Sequence, residues 1–96
     1  MQIHETSLPG VKLLELKAFS DDRGYFKETF RGTWAADLIL IDEFVQDNIS
    51  RSYQGTIRGL HYQKERPQAK LVQCISGQIL DVAVDLRKNS STFGQY

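Results

Sequence analysis

The stretch from Gln78 to Arg87 limits the fold more than any other part of the sequence. Leu80, Val82, Val84 and Leu86 alternate with Asp81, Ala83, Asp85 and Arg87. A period of two is the signature of a strand with one face toward a core. The charged side is not uniform along its length. Asp85 and Arg87, near the end, read as a surface pair, and Asp81, earlier in the strand, is the better candidate for an interior carboxylate.

The same period runs back along the chain, broken by turn residues. Val11 to Phe19 reads as a strand in which Leu14, Leu16 and Ala18 alternate with Glu15 and Lys17. Ser20-Asp21-Asp22-Arg23-Gly24 has the Asp and Gly of a tight turn, so Arg23 is by type a solvated turn residue. Tyr25 to Arg31 is a second strand with Phe26, Glu28 and Phe30 on one face. A carboxylate between two phenylalanines is either paired inside or meets a ligand. Thr33 is placed to N-cap a short helix over Trp34 to Leu38, where Trp34 and Leu38 pack down together. Phe44 to Ser52 is a strand carrying Phe44, Gln46, Asn48, Ser50 and Ser52 on one face, which either meets solvent or lines a polar cavity. Tyr53-Gln54-Gly55 and Ser76-Gly77 are turns. Glu65 to Gln68 is a loop, with Arg66 held extended by Pro67. Ala69 to Ile75 is a strand with Lys70, Val72 and Cys74 facing inward, Cys74 as a small core residue.

The segment Thr56 to Gln63 carries His61, one of two histidines in the chain. A histidine in an apolar strand is most often a satisfied core or edge residue. Its company argues for more. Arg58 and Lys70 flank it in sequence, with Arg23, Glu28, Gln46 and Asn48 upstream and Asp81 downstream. Convergent ionisable groups are costly to bury and rarely kept for stability alone. Histidine is also the side chain suited to proton transfer near neutral pH. Strict alternation would separate Arg58 from His61. Gly59 lies between them, where a bulge would shift the parity and bring both to one site.

At 96 residues the chain makes a single domain, 1–96. Twelve basic residues balance twelve acidic ones, so no broad nucleic-acid or membrane surface is expected, and any anionic ligand is held by a few placed cations. Cys74 is the single cysteine, which excludes an internal disulfide. No apolar run is long enough to span a bilayer and Met1 to Glu5 shows no signal-peptide pattern, so a cytoplasmic protein is expected. About six short strands, one helical turn and regular turn signals predict an all-β sandwich or barrel of the jelly-roll type. Such folds use about eight strands, so a further half or a partner chain is expected.

Several ordered blocks resemble the dTDP-4-dehydrorhamnose 3,5-epimerase family. They are Asp22-Arg23-Gly24-Tyr25-Phe26-Lys27-Glu28, Gln46-Asp47-Asn48-Ile49-Ser50-Arg51-Ser52 and Arg58-Gly59-Leu60-His61-Tyr62-Gln63. Pro67-Gln68-Ala69-Lys70-Leu71-Val72, Gly77 with Asp81 to Arg87, and Ser91-Thr92-Phe93-Gly94 continue the series. The resemblance implies a cupin-type jelly roll (a double-stranded β-helix), incomplete in this chain, and a homodimer with exchanged N-terminal strands. It implies an isomerase that epimerises C3 and C5 of a dTDP-4-dehydro-6-deoxy sugar toward dTDP-L-rhamnose, without a cofactor. His61 matches the general base and Lys70 the residue beside the substrate carbonyl. Arg23, Phe26, Glu28, Gln46, Asn48 and Arg58 match nucleotide-sugar contacts, and Asp81 is a supporting candidate. The family's general-acid tyrosine and the aspartate paired with the base have no match here, and Tyr96 is not that tyrosine. The resemblance therefore covers the N-terminal half of the family domain. No metal site is expected, since His61 has no His-x-His partner. The alternatives are a mono-epimerase at one of the two carbons and a non-catalytic module that keeps the nucleotide contacts.

Overall fold

The structure, a computed structural model, describes residues 1–38 and 44–96. Its regular elements are four short strands and one helical turn: β1 Gln2–Glu5, β2 Lys12–Glu15, β3 Ala18–Asp21, β4 Gly24–Lys27 and α1 Trp34–Asp37. Contacts divide the chain into one unit of Met1–Arg31 with Cys74–Tyr96 and a second of Gly32–Gln73.

In the first unit, β1 and β2 form an antiparallel pair in which Ile3 faces Leu14 and Glu5 faces Lys12. Ile3 and Leu14 are half-buried, and the Glu5 carboxylate meets Lys12 Nζ at 3.1 Å. Opposite charges across a ladder add a few tenths of a kcal/mol, up to about 1. The connection closes through Thr6, whose hydroxyl donates to the Val11 carbonyl at 2.8 Å, while the Val11 amide donates to Leu8 O at 3.0 Å. Leu8 is buried beneath this turn. Strand β1 carries no period-two signal in the sequence. Ile3 is its one aliphatic residue, so it acquires a strand's pattern only when paired with β2.

The second antiparallel pair, β3 with β4, sets Phe19 opposite Phe26 and Asp21 opposite Gly24. Its turn is the Asp-Arg pair read from the sequence. Asp21 Oδ1 accepts the Arg23 amide at 2.9 Å, an Asx-type bond that fixes the reversal. The strand expected over residues 11–19 is thus two strands, broken at Leu16-Lys17, and that expected over 25–31 ends at Lys27. The break lets each half enter a separate hairpin with its nearest neighbour in sequence.

The helical turn lies where the sequence places it. Trp34 and Leu38 are both buried, and the Leu38 amide donates to Trp34 O at 2.9 Å. Thr33 stands at the N-cap but with helical dihedrals, and its side chain makes no capping bond. A cap residue needs an extended backbone to aim its oxygen at the first free amides.

The strands expected over 44–52, 56–63, 69–75 and 78–87 are absent from the ladders of the described residues. Their alternation is real in sequence, but a strand is a paired object, and these segments pair with no other among the described residues. Their apolar members stand exposed, Leu80 and Ile57 at 91%. Cys74 is exposed rather than a core residue, and Arg66 has φ 55 rather than an extended backbone, within a bend that no ladder holds straight.

The densest polar structure is at the end of the 78–87 stretch. Asp85, expected on the surface, has a side chain only 1% exposed. Its amide donates to Gln95 O at 2.9 Å and its carbonyl accepts from the Gly94 amide at 2.7 Å. Asp85 Oδ1 accepts the Arg87 amide at 3.0 Å and Arg87 Nε at 2.9 Å. Asp85 Oδ2 accepts Arg87 Nη2 at 2.8 Å and the hydroxyls of Ser90 and Thr92, each at 2.6 Å. The same Nη2 donates to Pro9 O at 2.7 Å, which fastens the first turn to this knot.

Candidate active site

The residues singled out by sequence fall in both units. Arg23, Phe26, Glu28 and Asp81 lie in the first, and Gln46, Asn48, Arg58, His61 and Lys70 in the second.

In the first unit, Arg23 is held at the β3–β4 turn by Asp21, whose Oδ2 accepts its Nε at 3.2 Å. The Arg23 guanidinium, and then its amide, hold the Asp21 carboxyl below the usual range, and Asp21 in return raises Arg23. Phe26 is exposed on β4 opposite Phe19. Glu28, which the sequence left as either paired inside or meeting a ligand, is instead paired in an exposed bond: Arg31 Nη2 and Nε donate to its Oε2 at 2.6 and 3.1 Å. That bond raises Arg31. Asp81 is exposed, not interior, because the parity that would bury it is never fixed by a neighbouring strand.

In the second unit, Gln46 Nε2 donates to Asn48 Oδ1 at 3.3 Å, so these two amides share the side expected of them. Arg58 Nε donates to Ser52 Oγ at 2.9 Å and its Nη2 to Arg51 O at 3.3 Å. Lys70 Nζ donates to Gln68 Oε1 at 2.8 Å. Lys70 and His61 are exposed, where the sequence reading placed them facing inward; without a ladder, no face is turned to a core. Backbone distortion occurs where it was expected, with Gly59 at φ 103. It is a bend in unpaired chain, not a bulge in a ladder. Among the described residues, no hydrogen bond or ion pair joins His61 to Arg58 or Lys70.

These groups nevertheless make a coherent chemical set. An imidazole can take a proton, an ammonium can meet developing negative charge on oxygen, and guanidinium groups can hold a diphosphate. A cavity of about 240 Å³ in the first unit is lined by Leu8 to Val11 and Val84 to Arg87, and none of these is a predicted site residue. Sequence reasoning paired Asp85 with Arg87, as the structure does, but set the pair at the surface and missed that Asp85 is the buried centre of a polar knot. Its signal was the pair of hydroxyls at Ser90 and Thr92, donors placed just after a strand-end carboxylate.

A sequence profile described as dTDP-4-dehydrorhamnose 3,5-epimerase matches residues 5–96. The chain belongs to the dTDP-4-dehydrorhamnose 3,5-epimerase family. Relatives bearing that name agree. The protein of Neisseria gonorrhoeae is 51% identical over 96 residues, which is 100% of this chain and 29% of that one. That of Methanothermobacter thermautotrophicus is 52% identical over 92 residues, covering 96% of this chain and 50% of its own length. The Shigella flexneri protein is 47% identical over 98 residues, 100% of this chain and 54% of its own. The chain thus spans about half or less of these epimerases. No solved structure matches it.

Proposed function

We propose that this chain supplies the base-bearing half of a dTDP-4-dehydrorhamnose 3,5-epimerase, acting on a dTDP-4-dehydro-6-deoxy sugar. The observation that carries the proposal is the family match from residue 5 to 96, which includes His61 and Lys70 in their expected blocks.

A proton on the carbon beside a carbonyl is acidic because the electron pair left by the broken C–H bond spreads onto oxygen. His61 removes the protons flanking the keto carbon in turn. Lys70 stabilises the enolate oxygen while the charge is on it. Return of a proton to the opposite face inverts each carbon, a step the family resemblance gives to a tyrosine with no match among these residues. Arg58 and Arg23 are suited to the diphosphate, and Gln46 and Asn48 offer amide donors and acceptors to the rest of the nucleotide-sugar. Phe26 gives an apolar face and Glu28 an acceptor. No cofactor is needed for this chemistry.

The fold proposed for the whole is one cupin-type jelly roll, assembled as a homodimer in the cytoplasm. Short antiparallel strands support the all-β part of that reading. Strand β1 pairs with β2 on one side, and among the described residues no strand pairs with its other edge, as exchange between subunits requires. Among the described residues no helix is long and apolar enough to cross a membrane.

The test is substitution of His61 by Asn in the full-length enzyme, with exchange of the substrate's ring protons followed in deuterated solvent. Exchange is expected to stop while dTDP binding stays unchanged. Exchange at the original rate would refute His61 as the base.

A further inference from the structure

Arg58 is held differently from the arginines of the first unit. There, Arg23, Arg31 and Arg87 rest on the carboxylates of Asp21, Glu28 and Asp85 respectively. Arg58 rests on neutral oxygens: its Nε donates to Ser52 Oγ at 2.9 Å and its Nη2 to Arg51 O at 3.3 Å. Lys70, in the same second unit, likewise rests on a neutral acceptor, Gln68 Oε1. A turn brings Arg58 to its partners. The Thr56 amide donates to Tyr53 O at 3.2 Å, and Gly55 takes the positive φ, 83, that such a reversal needs at its third position. The chain thereby returns Arg58 to the two residues that precede the turn.

The kind of acceptor decides what becomes of the charge. A carboxylate fixes a guanidinium and offsets its charge, whereas a hydroxyl and a carbonyl fix it and leave that charge for a ligand. Nε gives its only N–H to Ser52, and Nη2 gives one of its pair to Arg51 O. Among the described residues, both N–H groups of Nη1 and one of Nη2 therefore remain, enough to meet two oxygens of a diphosphate.

We propose that Ser52 is a positioning residue for substrate binding: its hydroxyl, through Nε, holds the Arg58 guanidinium in place and fully charged for the diphosphate of the nucleotide-sugar. The inference rests on Arg58 being a diphosphate contact. It adds what holds that arginine before the substrate arrives, and why the holder is uncharged.

A loose arginine must be ordered at the moment of binding, and immobilising such a side chain weakens affinity by about two- to tenfold. Ser52→Ala removes the Nε acceptor and leaves only the longer bond to Arg51 O, so affinity for dTDP should fall within that range. Ser52→Thr keeps the hydroxyl and should restore binding. Ser52→Asp keeps an acceptor but adds a carboxylate, so it should bind dTDP more weakly than Ser52→Ala does.

The experiment is a double-mutant cycle in the full-length enzyme, with dTDP binding read by calorimetry. Ser52 and Arg58 are both exposed, so neither truncation opens a core. Ser52→Ala is expected to weaken binding alone and to add no further loss beside Arg58→Ala, because its effect passes through that guanidinium. Equal losses in both backgrounds would overturn the proposal, since a merely structural serine acts whether or not Arg58 is present. Unchanged affinity in Ser52→Ala, or wild-type affinity in Ser52→Asp, would overturn it as well. Failure of the underlying reading is separable. Arg58→Ala binding dTDP as wild type does removes Arg58 from the diphosphate and the tether with it, whereas a loss there with an additive cycle removes the tether alone.

Discussion

Replacing Asp85 by Asn tests whether a single carboxylate organises the first unit. The two oxygens are not equivalent. Oδ1 faces the Arg87 amide and Nε, both of which can only donate. Oδ2 faces Arg87 Nη2, which can only donate, and the hydroxyls of Ser90 and Thr92, which can turn and accept. An asparagine therefore seats its amide nitrogen at the Oδ2 position, loses the Nη2 bond and reverses two hydroxyls. The pH dependence gives the sharpest magnitude. The Arg87 guanidinium, then the Ser90 and Thr92 hydroxyls and the Arg87 amide, hold the Asp85 carboxyl far below the usual range. A depressed folded pKa gives stability that is fully present above the unfolded value, about 3.9. That stability is lost as pH falls from there toward the folded value. The native state then holds one proton fewer than the unfolded chain, so the slope of stability against pH below about 4 contains roughly one proton from Asp85. All other carboxylates are common to both proteins. Urea unfolding of the full-length wild type and Asp85→Asn, repeated at steps from pH 5 to pH 2, should give slopes that differ by about one proton. Parallel slopes would show that Asp85 titrates alike in both states, and the knot would then be absent in solution.

Two further outcomes follow from the site residues. Lys70 has an uncharged partner in Gln68, so its charge is available to an oxyanion, and Lys70→Ala should cost about 2 to 4 kcal/mol of transition-state stabilisation in full-length enzyme; a fall in kcat of less than tenfold would leave Lys70 a binding residue. Asp21→Asn keeps the acceptor for the Arg23 amide but removes the charge that holds its guanidinium, so dTDP should bind about two- to fivefold more tightly by calorimetry, and unchanged or weaker binding would show that Arg23 does not reach the diphosphate.

What the sequence revealed was local. The β3–β4 turn needs only Asp21 and its own downstream amide, and the helical turn at Trp34 needs only its own backbone, so both were legible. Alternation over 44–52 and 69–87 says which face a strand would bury, but not that a neighbour is there to pair with it. Asp85 failed for a related reason. Parity sent it outward, and period-two reading does not see hydroxyls that come from the following loop to surround it. The candidate site shows the same division. Family blocks name its residues, yet Arg23, Lys70 and Arg58 each bond within their own local stretch, to Asp21, Gln68 and Ser52. Which other residues they meet is set by tertiary packing, which no spacing rule encodes.

The Arg87 bond to Pro9 joins residues 78 positions apart, and that separation has a meaning in time. Chain synthesis proceeds at about 5 to 20 residues per second, so roughly 4 to 16 seconds pass between the appearance of Pro9 and that of its partner. A hairpin such as β1–β2 forms in microseconds. The nascent β1–β2 segment therefore opens and closes without the fastening guanidinium for about a million times the hairpin's own folding time. All of Gly32–Gln73 is made within that wait. The early hairpin must be tolerable as an isolated, exposed structure, and its Glu5–Lys12 and His4–Glu15 pairs, each at 3.1 Å, keep charge along it while it waits.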